Sequence, residues 1–329
     1  MALGVIEGVL RVFPRFIASD SLKRELRWRR THGFVTRAPD SPFVPSPELG
    51  WDLRPGVRSE RVNTNARGLR GLREYALKPP PGVRRVLCVG DSFTFGERLT
   101  DEESLPAQLE VELNRSGRWE VLNLGVPGYG TDQQWLRLQR LGFQYAADVV
   151  VLGFFEDDMR RNGMSFRDYA KPYYELSRGQ LVLRNIPVPS PEELLARPPS
   201  GPACPLRLGC AAELIQDGLA FDAQILDAER TPAGRVTVAI LDAMSQAVLS
   251  RGMRFVLMTI SRPVLPRPSR TEELLVRWAA RTGTPVLNTR RAYLELPEPD
   301  RARLYAGHWT PYGAATTAQL LAERIRAAR

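Results

Sequence analysis

The chain of 329 residues is 43% hydrophobic and 25% charged, which fits a globular protein and excludes a disordered, collagen-like or disulfide-stapled mini-protein. Its net charge of +9 is carried by arginine, since Lys23, Lys78 and Lys171 are the only lysines. The arginines are dispersed rather than gathered into a patch, so no nucleic-acid partner is expected.

Residues 1 to 17 place Leu3, Ile6, Val9, Leu10, Phe13 and Ile17 at helical spacing, with Glu7, Arg11 and Arg15 interrupting the apolar face. No signal-peptide core and no membrane span of about 20 apolar residues is visible. This segment is expected to form an amphipathic helix docked on its own domain; the alternative is an interfacial helix in peripheral contact with a membrane. A cytoplasmic location is the default on the same grounds, with the cell envelope as the alternative. Residues 33 to 82 are rich in Pro, Gly and Arg, which is turn chemistry. They are expected to wrap the following domain, anchored by Leu49, Trp51 and Leu69. His32 lies in a polar stretch and is expected to be exposed, without a catalytic role. Residues 1–82 thus form an N-terminal extension, and residues 83–329 an α/β domain.

From residue 86 apolar β-branched runs alternate with helical patterns. Strands are expected at Val86 to Val89, Trp119 to Leu124, Asp148 to Phe155, Arg254 to Ile260 and Pro285 to Asn288. Helices are expected at about 102 to 116, 132 to 144, 234 to 251, 270 to 282 and 311 to 328. This alternation specifies a three-layer α/β domain with a five-stranded parallel sheet and right-handed crossovers. Residues 160–225 interrupt it. Tyr173 to Leu183 alternates around Arg178-Gly179, a β-hairpin signal. An insertion after the third strand leaves the ligand-binding edge of the sheet, so it is read as a lid or substrate-selecting element, with a surface ornament as the alternative. Cys88 is read as a core residue. Cys204 and Cys210 either close a small loop as a disulfide or remain reduced. No cluster of histidine and cysteine could hold a metal, and no cofactor is expected.

The chemistry centres on Ser92, which follows Val86-Leu-Cys-Val-Gly-Asp91 at the carboxyl end of the first strand. A serine there can be a nucleophile if a base reaches it. Of the two histidines, His308 sits just before the last helix and is the expected base. Asp91 is expected to brace the turn, because its side chain diverges from that of Ser92.

Gly90-Asp-Ser92 after a first strand, Gly125-Val-Pro-Gly-Tyr-Gly130 after the second, and Gly307-His-Trp-Thr-Pro311 before a last helix together resemble the SGNH (GDSL-like) hydrolase superfamily. Its members are mostly esterases, lipases, carbohydrate acetylesterases and acyltransferases. The resemblance implies a flavodoxin-like strand order, Ser92 as nucleophile and first oxyanion donor through its N–H, and Gly128 as the second donor. At the third block the family usually carries an asparagine amide, and the matching residue here is Asp157. A carboxylate has no proton to donate. Three alternatives stand: Asp157 is held protonated by burial, Asn162 or another group donates instead, or hydrolysis is weak. The family's orienting aspartate, two or three residues before the histidine, falls on Ala306 and Tyr305. A backbone carbonyl, Asp157, Asp158, Glu298 or Asp300 is left to orient His308.

The leading expectation is a serine-dependent ester hydrolase acting on a small-molecule, glycan or lipid ester, with acyl transfer to a sugar hydroxyl as a variant at the same site. A catalytically silent module that binds acylated glycans or lipids is the alternative. A nucleotide-binding flavodoxin-like protein fits poorly, because Asp91-Ser-Phe-Thr-Phe-Gly96 lacks a Gly-rich phosphate cradle.

Overall fold

A computed structural model of the protein describes residues 4–8, 19–31, 41–199, 228–261 and 266–327. His32, Cys204 and Cys210 lie outside these residues, as does most of the expected N-terminal amphipathic helix. The strands, in chain order, are β1 (Phe43–Ser46), β2 (Gly50–Leu53), β3 (Arg84–Gly90), β4 (Trp119–Asn123), β5 (Val149–Phe155), β6 (Tyr173–Ser177), β7 (Gln180–Arg184), β8 (Arg254–Ile260), β9 (Val286–Asn288), β10 (Tyr305–Ala306) and β11 (His308–Trp309).

Five of these strands form one parallel sheet in the order β4-β3-β5-β8-β9. Counted along the chain this is 2-1-3-4-5, the flavodoxin-like order, whose switch point lies between the first and third strands. Gly90 and Gly153 are partners there, at the carboxyl ends of β3 and β5. The period of two along β3 divides the core. Leu87 and Val89 face the helices Thr131–Arg140, Pro232–Leu249 and Arg270–Thr282. Val86 and Cys88 face Leu105–Asn114 and the last helix, Pro311–Ala327. A sheet covered on both faces buries all of β5 and all but the first residue of β3 and β8, which is why these central strands read as apolar runs.

Helix boundaries follow local chemistry. The side chain of Ser269 accepts from Glu272 N to start the helix Arg270–Thr282, and Gly283 ends it in the left-handed conformation. The short helices Ser92–Phe95, Asp158–Arg161, Pro191–Ala196, Thr289–Leu294 and Glu298–Arg303 were not expected from periodicity, because four to six residues are too few to display it.

A third apolar cluster sits at the carboxyl edge of the sheet. It joins Trp28 of the helix Asp20–Thr31, Phe43 and Trp51 of the β1/β2 hairpin, Phe95, Tyr129, and Phe166 and Tyr169 of the insertion. Leu49, Trp51 and Leu69 are all buried. The insertion forms the β6/β7 hairpin turning at Arg178-Gly179, and its base is pinned by Lys171. That fully buried ammonium donates to Asp132 Oδ2, Arg161 O and Met164 O.

Candidate active site

Ser92 opens the helix Ser92–Phe95 directly after β3. Asp91 is its N-cap, accepting from Phe93 N at 3.0 Å. The other carboxylate oxygen of Asp91 accepts from Arg161 Nη1 at 2.8 Å. Both contacts turn Asp91 away from the Ser92 hydroxyl and brace the loop.

His308 reaches the same point from the other end of the chain. Tyr305-Ala306 and His308-Trp309 form a minimal antiparallel hairpin in which Ala306 lies opposite His308. Gly307 turns it at φ +82°. The imidazole packs on Phe93, with ring centroids 4.9 Å apart, and Tyr305 Oη donates to Ser261 O. Ser92 Oγ and His308 Nε2 stand 2.9 Å apart, although 216 residues separate them. Glu97 Oε2 lies 3.6 Å from the same nitrogen.

A cavity of about 440 Å³ opens over this pair, lined by Ser92, His308, Gly128 and Asp157 together. Phe93, Phe95 and Phe155 form its apolar wall, and Glu97, Arg98, Arg161, Arg167 and Asp168 its charged wall. Gly128 has φ +85°, and a Cβ there would meet Asp168 Oδ2 at 2.6 Å and Arg167 Nη1 at 2.9 Å. Its loop is held by Trp51 Nε1, which donates to Pro127 O at 3.0 Å, and by Tyr129 Oη, which donates to Trp51 O. Among the described residues neither Ser92 N nor Gly128 N donates to another group of the chain.

The remaining candidates are placed as follows. Asp157 borders the cavity with its side chain 41% exposed, 3.4 Å from Arg160 Nη2 and 3.9 Å from Arg161 Nη2. The side chain is therefore not buried, whereas the first of the three alternatives for this position required burial. Asn162 is fully buried; its Oδ1 accepts from Asp132 N and its Nδ2 donates to Thr237 Oγ1. Its amide is spent on tying two helices together, and it does not line the cavity. Asp158 is also fully buried, accepting from Arg161 Nη1, Gln134 Nε2 and Phe155 N. Glu298 is exposed on its short helix, and Asp300 faces Arg303 at 3.7 Å. Neither borders the cavity, nor does Asp158.

No family model matches the chain, and no curated protein matches it. Solved structures resemble it. One described as TesA has 14% identity and a TM-score of 0.44, covering 74% of this chain and 99% of that one. The lipase/acylhydrolase from Enterococcus faecalis has 16% identity and a TM-score of 0.44, covering 74% and 96%. The psychrotrophic esterase EstA from Pseudoalteromonas sp. has 15% identity and a TM-score of 0.41, covering 74% and 97%.

Four charged wall residues carried no signal in the sequence: Glu97, Arg98, Arg167 and Asp168. A fifth, Arg161, carried a signal in its spacing, three residues after Asp158 and four after Asp157 on one helical face. Arg161 Nη1 donates to Asp91 Oδ2, Tyr129 O and Asp158 Oδ1 at 2.8, 2.9 and 3.0 Å. Burial works against its charge, but the carboxylates of Asp158 and Asp91 outweigh it and raise the guanidinium above its ordinary value. Burial, reinforced by Asp91, drives the Asp158 carboxyl upward. Burial also lowers Arg167, with nearby Arg161 and Arg24 adding to the effect, to about 10. Among the described residues no group of three or more His, Cys, Asp or Glu could hold a metal ion, and no helix is long and apolar enough to cross a membrane.

Proposed function

We propose that this protein is a serine-dependent ester hydrolase. The observation that carries the reading is the 2.9 Å contact between Ser92 Oγ and His308 Nε2 at the floor of a cavity shared with Gly128. His308 Nε2 takes the hydroxyl proton as Ser92 Oγ attacks the ester carbonyl, and the Ser92 and Gly128 N–H groups receive the oxyanion. Collapse of the tetrahedral intermediate expels the alcohol, which leaves with the proton held on His308. Water then attacks the acyl-serine by the same route and regenerates Ser92. The Glu97 carboxylate, 3.6 Å from Nε2, lies where it can offset the charge of the imidazolium while the proton is in transit. A cavity of about 440 Å³ suits a small ester or the acyl end of a larger glycan or lipid. A sugar hydroxyl in place of water would make the same site an acyltransferase.

The Asp157 carboxylate beside the cavity favours one other reading, a silent module that binds an acylated ligand without turning it over. Labelling with a fluorophosphonate separates the two. The hydrolase gives a covalent adduct on Ser92, located by mass mapping, and His308→Ala or Ser92→Ala abolishes it. A folded protein that takes no label at Ser92 refutes the hydrolase and leaves the binding module.

A further inference from the structure

We infer that Arg161 supplies the third oxyanion contact, in place of the side-chain amide that this chain lacks at position 157. The inference rests on the ester hydrolase reading above. The two backbone donors, on Ser92 and Gly128, belong to separate loops, and the side chain that would complete the set is a carboxylate. Asn162, the nearest amide in sequence, is committed to Asp132 and Thr237.

Arg161 is tied to each segment that builds the oxyanion position. One nitrogen, Nη1, donates to Asp91, the residue before Ser92, and to the carbonyl of Tyr129, the residue after Gly128. The same nitrogen also donates to Asp158. The guanidinium lies 5.3 Å from the Phe155 ring centroid, against the cavity wall that Phe155 shares with Phe93 and His308. Its other terminal nitrogen, Nη2, has no hydrogen-bond acceptor among the described residues. Asp157 Oδ2 lies 3.9 Å from Nη2. Nη2 therefore stands beside the side chain whose amide it replaces, and it has hydrogens to give.

The side chain is 5% exposed, so its bonds are made before any substrate arrives. A donor held in advance by three acceptors needs no reorganisation as charge develops, the condition under which oxyanion contacts act most strongly. The guanidinium, 3.9 Å from Asp157 Oδ2 and shared with Asp91 and Asp158, offsets part of the repulsion that Asp157 would exert on an anion forming nearby. As Ser92 Oγ bonds to the carbonyl carbon, the carbonyl π pair moves onto oxygen, and that oxygen accepts from Ser92 N, Gly128 N and Arg161 Nη2. Arg167 is the competing cation. Its Nη1 is already paired with Asp168, and it lies over Gly128 without a bond to either oxyanion loop.

The test uses kcat and KM for 4-nitrophenyl acetate together with the rate of fluorophosphonate labelling. Arg161→Lys keeps the charge but loses the fork, and it is expected to lower kcat and the labelling rate about 10²-fold, with KM within a few-fold. Adding Asp157→Asn to that variant supplies an amide donor and is expected to recover at least about tenfold of the loss. A residue that only braced the fold would show no such rescue. Unchanged kcat in Arg161→Lys, or a loss that Asp157→Asn leaves untouched, overturns the inference. So does a loss reproduced only by Arg167→Met. If Arg161→Lys does not fold, Asp157→Asn in the otherwise unaltered chain decides. A gain below about tenfold agrees with a site already furnished with a donor, whereas a gain of 10² or more means the donor was missing. A wild-type protein that neither labels at Ser92 nor turns over esters sinks the hydrolase reading itself, and the inference with it.

Discussion

The buried pair Lys171–Asp132 is the most exposing point at which to test the architecture of the site. Both side chains are fully buried, and the three acceptors around Nζ match its three hydrogens. Lys171→Met keeps an unbranched chain but strands a carboxylate in the interior. Removing one partner of such a pair costs about 3–5 kcal/mol, a large part of the roughly 5–15 kcal/mol that holds a protein folded. At about 2 °C per kcal/mol for a large domain, Tm falls by about 6–10 °C. Urea titration at pH 7 measures the free energy directly. Adding Asp132→Asn removes the stranded charge and is expected to return at least half of the loss. The pH dependence has a definite sign. Burial already raises the Asp132 carboxyl, with Lys171 pulling the other way, so loss of Lys171 raises it further. A folded state that keeps a proton the unfolded chain has released loses stability as pH rises. The deficit is therefore small near pH 4 and largest at neutral pH. A loss below about 1 kcal/mol at pH 7, or a double variant no better than the single one, refutes this account.

Three further outcomes are expected. Gly128→Ala forces a side chain into a left-handed backbone and against Asp168, and ester turnover should fall about 10²-fold as the second donor is displaced; activity within twofold of wild type would remove Gly128 from the site. Ala306→Asp sets a carboxylate opposite His308 in the hairpin, where cross-strand side chains share a face. It should raise kcat/KM at least about tenfold, and no gain would mean that the missing acid does not limit the rate. The Cys88 thiol is pushed far above its ordinary value by burial, so iodoacetamide should leave it unmodified in the native protein and alkylate it in urea. Peptide mapping of both samples checks this, and native labelling of Cys88 would contradict its place in the core.

The sheet was legible because a doubly covered parallel strand must be apolar on both faces. Val86 to Val89 and Arg254 to Ile260 could therefore be found without any knowledge of their partners. Strand ends were less so: β3 begins at Arg84 because Arg85 is buried, with Glu120 taking its Nε and Nη2, and a buried arginine looks like a surface residue in sequence. Ser92 and His308 could be singled out from their places in the topology. Glu97 and Arg98 could not, since nothing local distinguishes them from solvated charges. Arg98 borders the cavity because its backbone takes φ +72° and its Nη1 donates to Ala306 O at 3.1 Å, a contact spanning 208 residues. Arg167 and Asp168 depend on where the insertion folds back, which the apolar cluster around Trp51 and Tyr169 decides.

The two departures from the pattern that the resemblance implies share one electrostatic setting. The resemblance implies an asparagine at 157 and an aspartate near 306; the chain has an aspartate at 157 and an alanine at 306. The first change adds a negative charge and the second removes one, so the formal charge of the site is unchanged while a carboxylate moves from the base to the oxyanion side. A carboxylate beside a forming oxyanion opposes it unless a cation stands near. Arg160 and Arg161 stand within ion-pair reach of Asp157. At the vacated end, Arg98 holds the carbonyl of Ala306 and so fixes the loop that an acid beside His308 would otherwise help to orient. A site rebuilt in this way can keep the Ser92–His308 geometry while shifting its electrostatic support from an amide and an acid to two arginines. On the proposed reading, turnover depends on how well a guanidinium serves where the resemblance implies an amide.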